Sequence, residues 1–158
     1  MPQVSGKALA AHEMRFENFD LAAPHGAIEL RGLGHAWDLH NFATFQGFAF
    51  HPELDELTME WQVEPGQENP WGSRENSARG CRLRFSGLRF LRGTSRDRAY
   101  PLKESRTVSG ISKATPEQGE HRLKHDWGPD ERFHLIIQFQ DEREFEVAAD
   151  VVRLEAII

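Results

Sequence analysis

The chain has 158 residues, 39% of them hydrophobic and 28% charged, with a formal net charge of -6. That length suits one domain with a core of its own, and no apolar run approaches the roughly 20 residues that a membrane-spanning helix needs. The acidic balance argues against a general nucleic-acid binder, and a single cysteine, Cys81, excludes an intrachain disulfide and favours a reducing, cytoplasmic setting.

The first residues, MPQVSGKALAAHEM, lack the apolar core of a secretory signal. Residues 5–13 favour a short helix by their alanine content. Residues 14–21 fit either element: Phe16 and Phe19 have helical spacing, Met14 and Phe16 strand spacing. Residues 27–31 form a short strand candidate among Pro24, Gly26, Gly32 and Gly34.

Residues 42–64 read as a hairpin. Leu57, Met59, Trp61 and Val63 alternate with Thr58, Glu60, Gln62 and Glu64, the period-two pattern of a half-buried strand. Its partner spans 44–51, joined through the turn HPELDE. Phe45 and the pair Phe48/Phe50 have opposite parity, which a bulge near Gly47 reconciles. Residues 65–79 are a polar loop.

In 80–93, Cys81, Leu83 and Phe85 share one face and Arg82 and Arg84 the other. Past Gly87 the parity flips: Leu88 and Phe90 continue the apolar set and Arg89 joins the basic one, as one extra residue at Ser86-Gly87 would cause. Residues 94–106 are a second polar loop, 108–114 a weak strand around Gly110, and 115–132 a third loop with HDWGPDE as its turn.

The end of the chain carries the clearest signal. Phe133, Leu135, Ile137 and Phe139 fall on one face, the polar DERE follows, and Phe145, Val147 and Ala149 repeat the pattern. This hairpin leads into a further apolar segment, VVRLEAII. Strands separated by turn clusters predict an all-β single domain spanning 1–158, an antiparallel two-sheet sandwich or partly open barrel with a short N-terminal helical or irregular segment.

The segment order resembles that of small uncharacterised bacterial β-sandwich proteins, some of immunity-protein type. The resemblance lies in the acidic-turn hairpin FAFHPELDELTMEW, the strand RLRFSGLRFLR and the closing hairpin FHLIIQFQDEREFEVAADVVRLEAI, over residues 42–158. It implies a β-sandwich and a protein partner, and transfers no catalytic residue.

Charge is unevenly spread. Residues 74–106 hold nine arginines and one lysine against three acidic residues, a net +7 that leaves -13 for the remainder. Arg82, Arg84 and Arg89 should project from one sheet face, where they could steer an acidic partner. The competing reading is internal pairing with carboxylates of neighbouring strands, with Glu144 and Glu146 or Glu60 and Glu64 as candidates. Trp71 and Trp127 lie in turn-rich loops, with Trp37 as a third. An exposed indole would serve a protein hot spot or stack on a sugar ring, whereas the plainer reading folds it over the end of the sandwich.

His35, Asp38 and His40, and separately His121 and His125, have ligand types at short spacing, but eight histidines in the chain make such coincidences easy. Cys81 on an inward face would be an inert thiol. No nucleophile elbow, phosphate loop or dinucleotide fingerprint is present. The leading reading is therefore a non-enzymatic protein that needs no cofactor and binds a protein partner through the arginine face and the tryptophan loops. It involves neither nucleic acid nor membrane. A carbohydrate or small-ligand module is the alternative, and a metal-dependent hydrolase stands third. Any edge strand left exposed could also pair two copies into a homodimer, and the sequence does not say which edge.

Overall fold

In the computed structural model, which describes residues 14–63, 78–94, 98–113 and 135–158, the alternating segments pair into ten strands. They are β1 (Arg15–Glu17), β2 (Phe19–Leu21), β3 (Glu29–Gly32), β4 (His35–Asp38), β5 (Ala43–His51), β6 (Glu56–Val63), β7 (Gly80–Gly93), β8 (Val108–Lys113), β9 (Leu135–Phe139) and β10 (Glu144–Ile157). One short helix, α1 (Leu102–Ser105), interrupts the loop expected over 94–106. The N-terminal helix expected over 5–13, Phe133, and the loops bearing Trp71 and Trp127 lie outside the described residues.

Seven strands form one sheet in the order β5-β6-β7-β10-β9-β8, with β1 added to β10. Every pair is antiparallel except β1 with β10, which is parallel. The two apolar segments at the end of the chain are one strand. β10 runs unbroken for 14 residues, pairing with β7 on one side and on the other with β9 at 144–147 and β1 at 151–153.

The bulge expected in β5 exists, whereas the one expected at Ser86-Gly87 of β7 lies at Arg89 instead. In β5 the register slips between Phe45 and Gly47, and Gly47 takes φ 132°, a region open to glycine at little cost. Phe45 and Phe48 therefore reach the same side of the sheet. In β7, Gly87 has φ 65°, and a Cβ there would lie 2.3 Å from the Asp150 carboxylate. Register is kept across Gly87, with Ser86 opposite Val151 and Leu88 opposite Ala149, and it slips at Arg89, because Phe90 opposes Ala148. The apolar set of β7 consequently continues through Leu88 and Leu91 rather than through Leu88 and Phe90.

The sheet curls until its ends meet. The Phe45 N–H donates to the Arg106 carbonyl at 2.9 Å, and His40 Nδ1–H donates to the Val108 carbonyl at 2.7 Å. The Phe45 ring lies at this seam, with centroids 5.2 Å from Trp61, 5.1 Å from Phe139 and 6.3 Å from Phe145. Residues 14–21 resolve into strands. β2, β3 and β4 form a separate three-stranded antiparallel sheet, tied to β8 by reciprocal Ala27–Ile111 hydrogen bonds of 2.8 and 2.7 Å. Leu30 and Trp37 of this sheet share one core cluster with Trp61, Leu83, Phe85, Ile137 and Val152.

Cys81 lies inward on β7 and is fully buried, as the alternation predicts. Burial pushes its thiol far above the ordinary value, so little thiolate forms in mildly alkaline buffer. A disulfide-exchange reagent is expected to leave the native protein unmodified and to react with one thiol per chain once denaturant is added. Stoichiometric labelling of the native protein would show that Cys81 is accessible.

Candidate interaction surface

The outer face of β1, β10, β7 and β6 carries a ladder of opposite charges. Arg82 bonds Glu60 with contacts of 2.6 and 2.8 Å. Arg84 bridges two strands at once, bonding Glu56 of β6 and Glu155 of β10. Arg89 meets Asp150 at 3.0 Å. Arg153 binds Glu17 at 2.6 Å, and Arg15 reaches the same carboxylate at 3.1 Å. Glu155 sits opposite Arg82 in register, and Arg84 takes it diagonally, because Arg84 itself faces Arg153.

The three arginines singled out in the sequence therefore have carboxylate partners. Glu60 is among those expected, Glu64 lies outside the described residues, and Glu56, Asp150 and Glu155 are partners that were not expected. Opposite-charge cross-strand pairs contribute about 0.2–1 kcal/mol each. Hydrogen bonding to Glu155, and then to Glu56, raises the Arg84 pKa against the opposing effect of burial. The face neutralises itself, which weakens its case as a steering surface.

Two carboxylates, Glu17 on β1 of this face and Asp20 on β2 of the small sheet, set an acid sensitivity. The Arg153 hydrogen bond holds Glu17 below its ordinary 4.5, and the Lys113 hydrogen bond holds Asp20 below its ordinary 3.8. Depressed folded-state values mean that the unfolded chain binds more protons in this window. Their contribution is thus complete above about pH 5 and disappears as pH falls through the lowered values. Urea melts are expected to show stability falling on acidification below that point. Glu17→Gln should flatten part of the slope, and an unchanged slope would show that the Arg153 pair does not contribute.

The remaining candidates are dispersed. Trp37 is fully buried on β4, not in a loop, and its Nε1–H donates to the Gly32 carbonyl at 2.9 Å. Asp38 accepts hydrogen bonds from the backbone N–H groups of His40 and Asn41 at 2.9 and 2.7 Å and from the Asn41 amide at 2.8 Å. Its carboxylate closes the turn after β4, while the His35 ring packs edge-on against Trp37. Among the described residues no group of three or more His, Cys, Asp or Glu side chains is placed to hold a metal. An open depression of about 570 Å³ beside β9, lined by Glu104, Ser109, Gln138, Phe139, Gln140 and Glu142, has neither histidine nor cysteine in its lining. His121, His125, Trp71 and Trp127 lie outside the described residues.

What the sequence reading missed is apolar surface at the β5–β6 end. Phe48 is 48% exposed, Phe50 49% and Leu54, at the tip of the turn, 68%. The two phenylalanines continue the core rows outward, with Phe48 opposite Met59 and Phe50 opposite Leu57. Phe48 contacts Phe145 edge-on at 5.4 Å. The turn between the strands adds exposed Glu53 and Asp55. Asp55 holds φ 52° while its carbonyl accepts from the Leu88 N–H at 3.0 Å, fastening the tip to the irregular stretch of β7. The signal was present in the alternation of Phe48 and Phe50, but alternation alone cannot tell a covered strand from an uncovered one.

Among the described residues no helix is long and apolar enough to cross a membrane. Comparison with family models, with curated proteins and with solved structures finds no match to this chain.

Proposed function

We propose that this is a non-enzymatic protein-binding domain that meets its partner at the β5–β6 end of the sheet. The observation that carries the reading is the cluster of Phe48, Phe50 and Leu54 left exposed beside the acidic turn residues Glu53 and Asp55. Apolar anchors with a polar rim are the usual anatomy of a protein contact, and the acidic rim favours a partner with a basic surface around an apolar socket. The pattern-level resemblance to immunity-type proteins supplies one such class, a toxin protein neutralised by direct contact. The charge ladder holds strand register and supports the contact from behind. The same reading takes the curled sheet and the three-stranded sheet as the two layers of a sandwich, supported by their shared core.

The test is site-specific photocrosslinking in the native host cell. A benzophenone side chain at position 54 is expected to yield a discrete adduct with another protein, and the same probe at position 82 none. Equal labelling from both positions, or none from position 54, would overturn the assignment.

A further inference from the structure

The outer edge of β5 from Gly47 to His51 pairs with no strand among the described residues. The opposite end of the sheet is treated differently. The free side of β8 is covered by the segment before β3, through Ala27–Ile111, through Lys113 N–H to the Pro24 carbonyl at 2.9 Å, and through Gly26 N–H to Ser112 Oγ at 2.9 Å. β7 also runs past β6, but there it bears Arg89 and Arg92, charges of the kind that blunt a strand edge. Residues 47–50 carry no Lys, no Pro and no inward-pointing charge. They read Gly-Phe-Ala-Phe, with both aromatic rings about half exposed.

We infer that this edge pairs with its counterpart in a second copy of the chain, antiparallel about a twofold axis at Ala49. The inference rests on the reading of the β5–β6 end as a contact surface and names one occupant for its backbone edge. Charge permits a second copy along this edge, and the self-complementary aromatic row favours it. Residues 43–50 are uncharged, and the nearest carboxylates on β6, Glu56 and Glu60, are already neutralised by Arg84 and Arg82. Two copies of an acidic protein can thus meet here without like charges opposing each other. With Ala49 on the axis, Phe48 of each copy lies opposite Phe50 of the other, giving two aromatic cross-strand pairs in a self-complementary contact.

The paired stretch is bounded on one side by the bulge before Gly47 and on the other by the turn after His51, and beyond the bulge the Phe45 N–H is already bonded to the Arg106 carbonyl. The contact is small, since each half-exposed ring offers roughly 100 Å², well under the roughly 1,000 Å² of a stable interface. The dimer is therefore weak and depends on concentration.

Sedimentation of the full chain over about 5–500 µM, a range matched to weak association, is expected to show the mass rising from 18.1 kDa towards twice that value. Phe50→Lys should hold it at one chain throughout. Ala49→Cys should form an intermolecular disulfide under mild oxidation and Gln46→Cys should not, since only position 49 faces itself across the axis. Each variant is compared with wild type by circular dichroism. A wild-type mass of one chain at all concentrations, or equal crosslinking through positions 46 and 49, would overturn the inference. A monomer that still gives the position-54 photoadduct defeats this inference alone, whereas a dimer without that adduct defeats the partner reading alone.

Discussion

Phe45→Ala is expected to lower the unfolding free energy by about 3–5 kcal/mol, the usual cost of emptying a large aromatic from a core. The ring is 4% exposed and stands among Trp61, Phe139 and Phe145, which come from three different strands. Its own N–H makes the hydrogen bond that brings the β5 edge onto the segment before β8. Removing the ring takes away both transfer free energy and the packing that holds the curl, and the cavity it leaves borders the seam. Chemical denaturation with fluorescence read at the tryptophans gives the stability. A loss of less than about 1.5 kcal/mol would be the size of a volume-conserving swap and would mean that the seam collapses to fill the space. Phe45→Leu is the milder comparison and should recover more than half of the loss.

Arg84→Met is expected to cost about 1–3 kcal/mol, because it leaves two carboxylates, Glu56 and Glu155, facing a sheet without their common cation. Both are largely shielded, at 15% and 29% side-chain exposure, and Arg84 is itself 31% exposed, so solvent screening keeps the effect below that of a fully buried pair. Arg82→Met removes a bridge to one carboxylate and should cost less, within about 1 kcal/mol. Combining Arg84→Met with Glu155→Gln in a double-mutant cycle isolates the coupling. If Arg84→Met proves neutral while the cycle shows no coupling, the guanidinium is not committed to the sheet, and the arginine face regains its standing as a binding surface.

Much of the strand architecture was legible because burial on one face imposes period two. Phe139 and Phe145 were placed inward from opposite sides of the DERE turn, Cys81 from its parity with Leu83 and Phe85. The mismatch between Phe45 and Phe48 located the β5 bulge, since a parity break within an otherwise regular strand needs an extra residue. The place of the β7 slip, at Arg89 rather than Ser86-Gly87, was not legible: Leu88 is followed by both Phe90 and Leu91, and local pattern cannot choose between two apolar side chains. Pairing between distant segments was hidden for a different reason. Nothing near Arg15–Glu17 announces β10 as its neighbour, and Arg84 could not be matched to Glu155 before the β7–β10 register was known. The candidate surface was the least legible part. The residues with conspicuous chemistry, the arginines and Trp37, turn out to be engaged internally. The exposed phenylalanines look in sequence like any other core residues.

The position of β10 dictates the order in which this molecule can assemble. It is the strand on which β7, β9 and β1 converge, yet it is translated after all of them. The hairpin of β5 and β6, with β7 beside it, can form during synthesis. The β2-β3-β4 sheet and the β8–β9 pair do not need β10 either, but β1 must wait until residues 151–153 have left the ribosome. Glu17 and Arg153, paired in the finished sheet, are 136 positions apart in the chain, and closing such a loop comes late and slowly. At a synthesis rate of about 5–20 residues per second, β1 spends several seconds as an unattached strand. Until then its unpaired edge is a place where the nascent chain can pair wrongly.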